Sequence, residues 1–98
     1  MAKALFLSGL ILVTPGAVAA LRQAGGDGYL SLAADLVVRH LIGDWGEVDE
    51  EDAAANAYAL AHGLRLLSAY TLPEGAGRLW VITEADRSAT TLLLPDEY

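Results

Sequence analysis

The sequence predicts one α+β domain spanning residues 1–98, with helices first and strands last. Apolar residues recur at helical spacing as far as about His62, and after Gly63 they alternate with period two, as strand residues do. A chain of 98 residues is also long enough to bury its own core without disulfides or metals. We therefore expect a short N-terminal strand and about three helices packed on a C-terminal three-stranded antiparallel meander.

The N-terminal segment predicts a strand followed by a capped helix. Leu10–Val13 is a short apolar run typical of a buried strand, and Thr14 then suits the N-cap of a helix with Pro15 at its first position. The pair Gly25-Gly26 predicts the end of that helix.

The same segment also imitates a secretory signal peptide. Lys3, an apolar run and the small residues Ala17-Val18-Ala19 follow one another, and no charged residue occurs from Ala4 to Leu21. Proline and glycine in mid-segment weaken the reading as a membrane span, and the capped helix explains the same residues. We expect a retained N-terminus, a cytoplasmic protein and no membrane partner.

Two further helices are predicted before Gly63. The first runs from about Tyr29 to His40, and the second begins after Asp49 as N-cap and closes with Gly63 as its C′ residue. The first has an apolar stripe expected to face the core, formed by Leu30, Ala33, Ala34, Val37, Val38 and Leu41.

Three strands are predicted after Gly63. Alternation from residue 64 to residue 71 indicates the first, residues 79–84 the second, and residues 90–94 the third, which Pro95 ends. Short connections between them indicate an antiparallel meander.

Composition limits the function classes. The net charge of −7, with no cysteine, argues against direct binding to nucleic-acid phosphates or anionic membranes and removes disulfides and thiolate metal sites. No metal-binding spacing or phosphate loop is present, so we expect no metal or cofactor. A protein with a basic surface is the expected partner, and a homo-oligomer stays open.

The acid is concentrated around the start of the third helix. Such a run is typical of a solvated helix start, and it also suits a surface that docks on a cationic groove. The candidate binding residues are Asp44, Trp45, Glu47, Asp49, Glu50, Glu51 and Asp52.

Polar side chains interleaved with core residues predict a structural network, because such groups must be paired when buried. Its candidates are Asn56, Arg65, Tyr70, Trp80, Thr83 and Arg87. We expect the guanidinium of Arg87 to pair with the carboxylate of Asp44 or Asp86 and to hold the Gly43–Gly46 turn against the sheet.

An alternative interpretation is a small enzyme or ligand-binding protein. Its polar site would use His40, Asp44, Glu84, Asp86 and Arg87, with Arg65 as a further member. His40 and His62 both fall in last helical turns, where a histidine commonly complements the helix dipole.

Over about residues 10–98 the chain resembles a family of small uncharacterised bacterial proteins carried on plasmids and integrative elements. The labels of that family, such as plasmid-related protein or restriction-modification subunit M, look like borrowings from neighbouring genes. Where the family has a more polar pair, this chain has Leu41-Ile42, which hints at extra burial or self-association. The resemblance rests on Thr14–Ala17, Arg39-His40, Gly43–Gly46, Asn56, Gly63–Tyr70 and Trp80–Tyr98.

That resemblance implies a mobile-DNA setting and no established activity. Together with the acidity, it leads to one main hypothesis: a non-enzymatic interaction module, in its sharpest form a DNA mimic that inhibits a restriction or CRISPR-type effector. Six polar residues converging in one pocket would favour the enzyme alternative, whereas acids scattered over the surface would favour the mimic.

Overall fold

Residues 3–98, the part of the chain that the computed structural model describes, form an α+β fold built on one mixed four-stranded sheet. The α+β class is therefore confirmed. The elements in chain order are β1 (Leu10–Val13), α1 (Pro15–Gly25), α2 (Tyr29–Leu41), α3 (Glu50–His62), β2 (Leu66–Thr71), β3 (Arg78–Thr83) and β4 (Ala89–Leu93), with 3₁₀ turns at Gly26–Gly28 and Pro95–Glu97.

The predicted helix ends are confirmed by their capping contacts. Thr14 Oγ1 accepts a hydrogen bond from Ala17 N at 3.1 Å, and Asp49 Oδ1 accepts one from Asp52 N at 2.8 Å. Each contact satisfies an amide that has no partner within the helix. Gly63 ends α3 in the left-handed conformation, as expected for a C′ glycine.

The sheet differs from the expected three-stranded meander because the N-terminal strand joins it. Strand order is β1-β4-β3-β2: the last three strands form the antiparallel meander, and β1 adds to β4 in parallel. A parallel pair requires a long crossover, which the chain between β1 and β4 supplies. At the start of β1, Gly9 has φ +63°, and a Cβ there would lie 2.3 Å from the Ser88 carbonyl carbon.

The core lies between the sheet and the first two helices. α1 contacts β4 and α2 contacts β3, whereas the sheet contact of α3 is with β2. The buried apolar cluster consists of Ala17, Ala20, Leu21, Leu36, Tyr70, Leu72, Leu79, Val81 and Leu92.

The expectation that Leu10–Val13 is buried is wrong. As the terminal strand of the sheet, β1 has a neighbour on one side alone, and its side chains are exposed, from 71% for Leu10 to 37% for Val13. The apolar stripe of α2 faces the core only in part, because Ala33 and Val37 are half-buried and pack against the core cluster. Leu30, Ala34 and Val38 are exposed, and the fully buried residues of the helix are Leu36 and His40.

An apolar groove of about 370 Å³ lies between β1 and α2. Its lining comprises Ile11, Val13, Leu30, Ala33, Ala34, Val37, Val38 and Leu92. Most of the predicted α2 stripe therefore lines this groove. Within residues 3–98, none of the helices has the length and apolar character needed to span a membrane.

Candidate functional site

A buried chain of hydroxyl and imidazole groups runs across the sheet. His40, fully buried on α2, has Nδ1 2.6 Å from Ser68 Oγ on β2 and Nε2 2.9 Å from Thr83 Oγ1 on β3. Thr83 Oγ1 lies 2.6 Å from Thr90 Oγ1 on β4, and Thr90 donates to the Ser8 carbonyl just before β1. These hydrogen bonds therefore run from β2, at one edge of the sheet, to the residues just before β1, at the other edge.

The carbonyl at the end of this chain fixes the direction of its hydrogen bonds. Because Thr90 uses its single proton on Ser8 O, it accepts from Thr83, and Thr83 in turn accepts from His40 Nε2–H. This direction places a proton on Nε2 of His40. When the imidazole is neutral, Nδ1 accepts from the Ser68 hydroxyl.

Burial keeps His40 uncharged. Desolvation, with a smaller contribution from the positive charge of Arg87, lowers the pKa of His40 to about 4. His40 does lie in the last turn of α2, but as a neutral imidazole it brings no positive charge to the helix dipole. Phe6 and Trp45 enclose the imidazole, each with a ring centroid within 6 Å of it in edge-on geometry.

Arg87 binds backbone carbonyls, so its predicted pairing with Asp44 or Asp86 is wrong. Its guanidinium donates to Leu64 O at 2.6 Å, to Ala59 O at 3.3 Å, and to the carbonyls of residues 84 and 85. Ala59 lies in the last turn of α3, at the negative end of the helix dipole, where a cation is favoured. Arg87 thus joins the β3–β4 hairpin to the end of α3.

The Gly43–Gly46 turn is held by other groups. Arg39 forms two hydrogen bonds with the carboxylate of Asp44, the shorter at 2.7 Å, and the Tyr70 hydroxyl donates to Asp44 O at 2.6 Å. Gly46 has φ +72°, and a Cβ there would lie 2.1 Å from Ala69 O. A residue with a side chain would therefore push the turn away from β2.

Asn56 performs a strand-like role at the edge of β2. Its buried amide donates to Leu67 O at 2.7 Å and accepts from Leu67 N at 3.1 Å. Two residues further along, Ala69 N donates to Trp45 O and Ala69 O accepts from Glu47 N. Side-chain and turn atoms together therefore pair the outer backbone of β2.

The remaining network candidates lie at the surface or on the second face of the sheet. The Arg65 guanidinium donates to the Tyr98 hydroxyl and lies over its ring, and Tyr98 packs edge-on against Trp80. Two residues of the enzyme alternative lie on the β3–β4 hairpin: Glu84 is exposed, and the exposed Asp86 carboxylate accepts a hydrogen bond from Ser88 N.

The acidic side chains at the start of α3 are all exposed. Glu47 accepts from the Thr71 hydroxyl, which lowers the pKa of the Glu47 carboxyl, and Asp49 caps the helix. Within residues 3–98, the Arg39–Asp44 contact is the one ion pair found. Hence Glu47, Asp49, Glu50, Glu51 and Asp52 face solvent without an ion-paired cation.

The residues of the enzyme alternative do not converge. His40 is buried in the interior, Asp44 is paired at the surface, Arg87 donates to four backbone carbonyls, and Glu84 and Asp86 are exposed on the hairpin. Neither the apolar groove nor a second cavity, of about 360 Å³ and lined by Arg22, Gly26, Asp27 and Tyr29, contains any of them. Across the described residues, no three His, Asp or Glu side chains form a cluster that could hold a metal.

Several groups that the structure uses were missed by sequence reasoning. Ser68 and Thr90 occupy core-facing positions of alternating strands, which is the pattern that could have identified them as network members. Glu97 had no such signal: it accepts from Thr14 Oγ1 at 2.6 Å across 83 residues of chain.

Comparisons of the chain with protein-family profiles, curated proteins and solved structures found no match in any of the three.

Proposed function

We propose that this protein is a small acidic, non-enzymatic interaction module that docks on a basic surface of another protein. The observation that carries the proposal is the exposure, without an ion-paired cation, of five carboxylates between residues 47 and 52. Those carboxylates lie together at one end of α3 in a chain of net charge −7.

The geometry of the polar network supports the same conclusion. Of the groups proposed for a catalytic site, His40 is buried in the hydroxyl–imidazole chain and Arg87 donates to backbone carbonyls. Both nitrogens of His40 have partners within the fold, which leaves the imidazole no capacity for a substrate. No observation favours the enzyme alternative.

In its sharpest form, the proposal is that the acidic end imitates DNA phosphates in the cleft of a restriction or CRISPR-type effector, in a mobile-element setting. Clefts that bind DNA are lined by cations, so they attract a cluster of exposed carboxylates over distances comparable with the Debye length. Such attraction falls steeply with ionic strength and acts mainly on the association rate.

The carboxylates also stabilise α3, because negative charge is favourable at a helix N-terminus. That contribution is about 0.3–1 kcal/mol for each exposed group. This stabilisation of the helix does not explain the carboxylate of Glu47, which precedes the helix. A docking test must therefore separate charge from folding.

A matched pair of triple variants tests the proposal. The first replaces Glu47, Glu50 and Glu51 with Gln, and the second removes three exposed acids elsewhere through Asp27→Asn, Glu84→Gln and Asp96→Asn. Both variants have the same net charge. Each is immobilised and incubated with extract of a native bacterial host at 50 and 300 mM salt, and captured proteins are identified by mass spectrometry.

We expect wild type and the second variant to capture a basic protein at low salt, and the first variant to lose it while remaining folded by circular dichroism. Equal capture by both variants would contradict the proposal. Duplex DNA added as competitor should displace the captured protein if the acidic end imitates phosphates. A partner that stays bound in the presence of DNA would remove the mimic form and keep the interaction module.

A further inference from the structure

The outer edge of β1 is open and apolar. Leu10 N donates to Ser88 O and Thr14 N donates to Leu92 O, so these residues turn their backbone groups toward β4. By the alternation of a strand, Ile11 and Val13 turn theirs to the opposite side, where the strand order places no further strand. The edge therefore offers two N–H and two C=O groups.

The side chains of β1 carry no charge, and the Glu97 carboxylate beside the end of the strand accepts a hydrogen bond from the Thr14 hydroxyl. Leu10, Ile11, Leu12 and Val13 are exposed on β1, and Leu30 and Val38 are exposed on α2 beside the apolar groove. Charged residues are absent from Ala4 to Leu21, although the whole chain has a net charge of −7. Two copies of so acidic a chain repel one another over most of their surface, and at the uncharged strand β1 they can approach with less repulsion.

We propose that this edge is a homodimer interface, in which β1 pairs antiparallel with β1 of a second copy. The proposal is independent of the acidic docking surface. Because the outward backbone groups of Ile11 and Val13 are symmetric about Leu12, a two-fold axis at Leu12 pairs Ile11 of each copy with Val13 of the other. All four outward groups of each copy are then satisfied, and the two sheets become one sheet of eight strands.

The exposed surface at this edge is apolar, as an interface between two copies would require. Six aliphatic side chains, four on β1 and two on α2, are 37–71% exposed. Self-complementarity is what a two-fold contact requires, and strand addition supplies its direction and register. Ile11 and Val13, which line the apolar groove, lie on the α2 face of the joined sheet.

The register makes a prediction that cysteine crosslinking can test, since the chain has no cysteine of its own. Leu12 faces Leu12 of the second copy across the axis, as a non-hydrogen-bonded pair. The Cα atoms of such a pair lie about 4.5 Å apart, within the range for a disulfide. Leu10 faces Thr14 of the other copy, so the two Leu10 residues lie several residues apart. Leu12→Cys should crosslink under mild oxidation, and the more exposed Leu10→Cys should not.

Oligomeric state tests the interface without a crosslink. Sedimentation equilibrium should give a dimer for wild type and a monomer for Leu12→Lys, which places two cations on the axis. Leu64→Lys is the matched control, because Leu64 is 46% exposed, against 48% for Leu12, and lies outside β1. That control should remain dimeric.

Amide hydrogen exchange adds a backbone readout. The amides of Ile11 and Val13 should exchange at least tenfold more slowly in the wild-type dimer than in monomeric Leu12→Lys. A wild-type protein that is monomeric at millimolar concentration would overturn the proposal, as would equal crosslinking of Leu10→Cys and Leu12→Cys. Binding of a monomeric wild type to phosphatidylcholine vesicles would assign the edge to lipid and overturn it as well.

Discussion

The two edges of the sheet are treated in opposite ways. At the β2 edge, the backbone of residues 67 and 69 is paired by Asn56 and by the Trp45–Glu47 segment. At the β1 edge, four consecutive apolar side chains are exposed, and the outward backbone groups have no neighbouring strand in the order β1-β4-β3-β2.

This difference matters because an exposed edge is a template for further strand pairing. Natural proteins block such edges with charges, prolines, bulges or covering segments. The chain uses a covering segment and a side-chain amide on β2, and none of these devices on β1. An edge left open in this way is explained if pairing with another copy is its role.

Breaking the closed edge should produce the largest loss of stability. Asn56→Ala removes both hydrogen bonds to Leu67 and leaves its half-buried N–H and C=O without these partners. Each unsatisfied group costs about 1–3 kcal/mol, so we expect a loss of about 2–6 kcal/mol in the free energy of unfolding. Urea titration followed by tryptophan fluorescence measures it.

The matched control for Asn56→Ala is Ala57→Ser, on the exposed side of the same helix. It should change the free energy of unfolding by under about 0.5 kcal/mol. A similarly small effect of Asn56→Ala would mean that water replaces the amide and that the β2 edge is not closed by this side chain.

The chain of hydroxyls between the edges should make stability depend on pH. The pKa of His40 is about 4 in the folded protein and near 6.5 when unfolded, so the unfolded state binds the proton more readily. Stability due to His40 is therefore complete above pH 6.5 and falls as pH drops toward 4. The whole change is about 3 kcal/mol.

Thermal or urea unfolding between pH 7 and 4.5 measures this slope. His62→Gln, at an exposed histidine, should keep it, whereas His40→Gln should flatten it and lower stability at pH 7. The carboxyls of Asp44 and Glu97 have lowered pKa values, so the stability that they contribute is lost at lower pH than that of His40. A slope that survives in His40→Gln would show that another group is responsible.

Changing an exposed side chain on the open β1 edge should have the smallest effect on stability. Leu10→Thr alters a side chain that is 71% exposed and introduces a β-branched residue, which strands favour. In dilute, monomeric protein we expect a change of under about 0.5 kcal/mol in the free energy of unfolding. A loss comparable with that of Asn56→Ala would show that β1 is packed more firmly than its exposure indicates.

Local chemistry made part of this fold predictable. Thr14 and Asp49 cap helices and Gly63 ends one, because each interaction lies within three or four residues of chain. The meander strands follow from the alternation of apolar residues, with boundaries displaced by one or two residues. Such signals do not depend on what lies on the other side of the sheet.

Long-range placement was less predictable, and the errors share that cause. Leu10–Val13 has the composition of a buried strand, but its position at the end of the strand order exposes it. Arg87 was expected to pair with a carboxylate, but the hairpin brings it within reach of carbonyls at the end of α3. Helical spacing predicted which residues form the apolar stripe of α2. It did not predict that most of them line the groove between β1 and α2.

Patterns among neighbouring residues fix the α+β class, the helix caps, the strand alternation and the concentration of acid before and within the first turn of α3. These are properties of neighbouring residues, whose energies are set locally. The tertiary structure alone decided that β1 forms an open edge, that Asn56 closes the other, and that His40 is neutral within a chain from Ser68 to Ser8. Those outcomes depend on contacts between residues far apart in sequence, which no local pattern encodes.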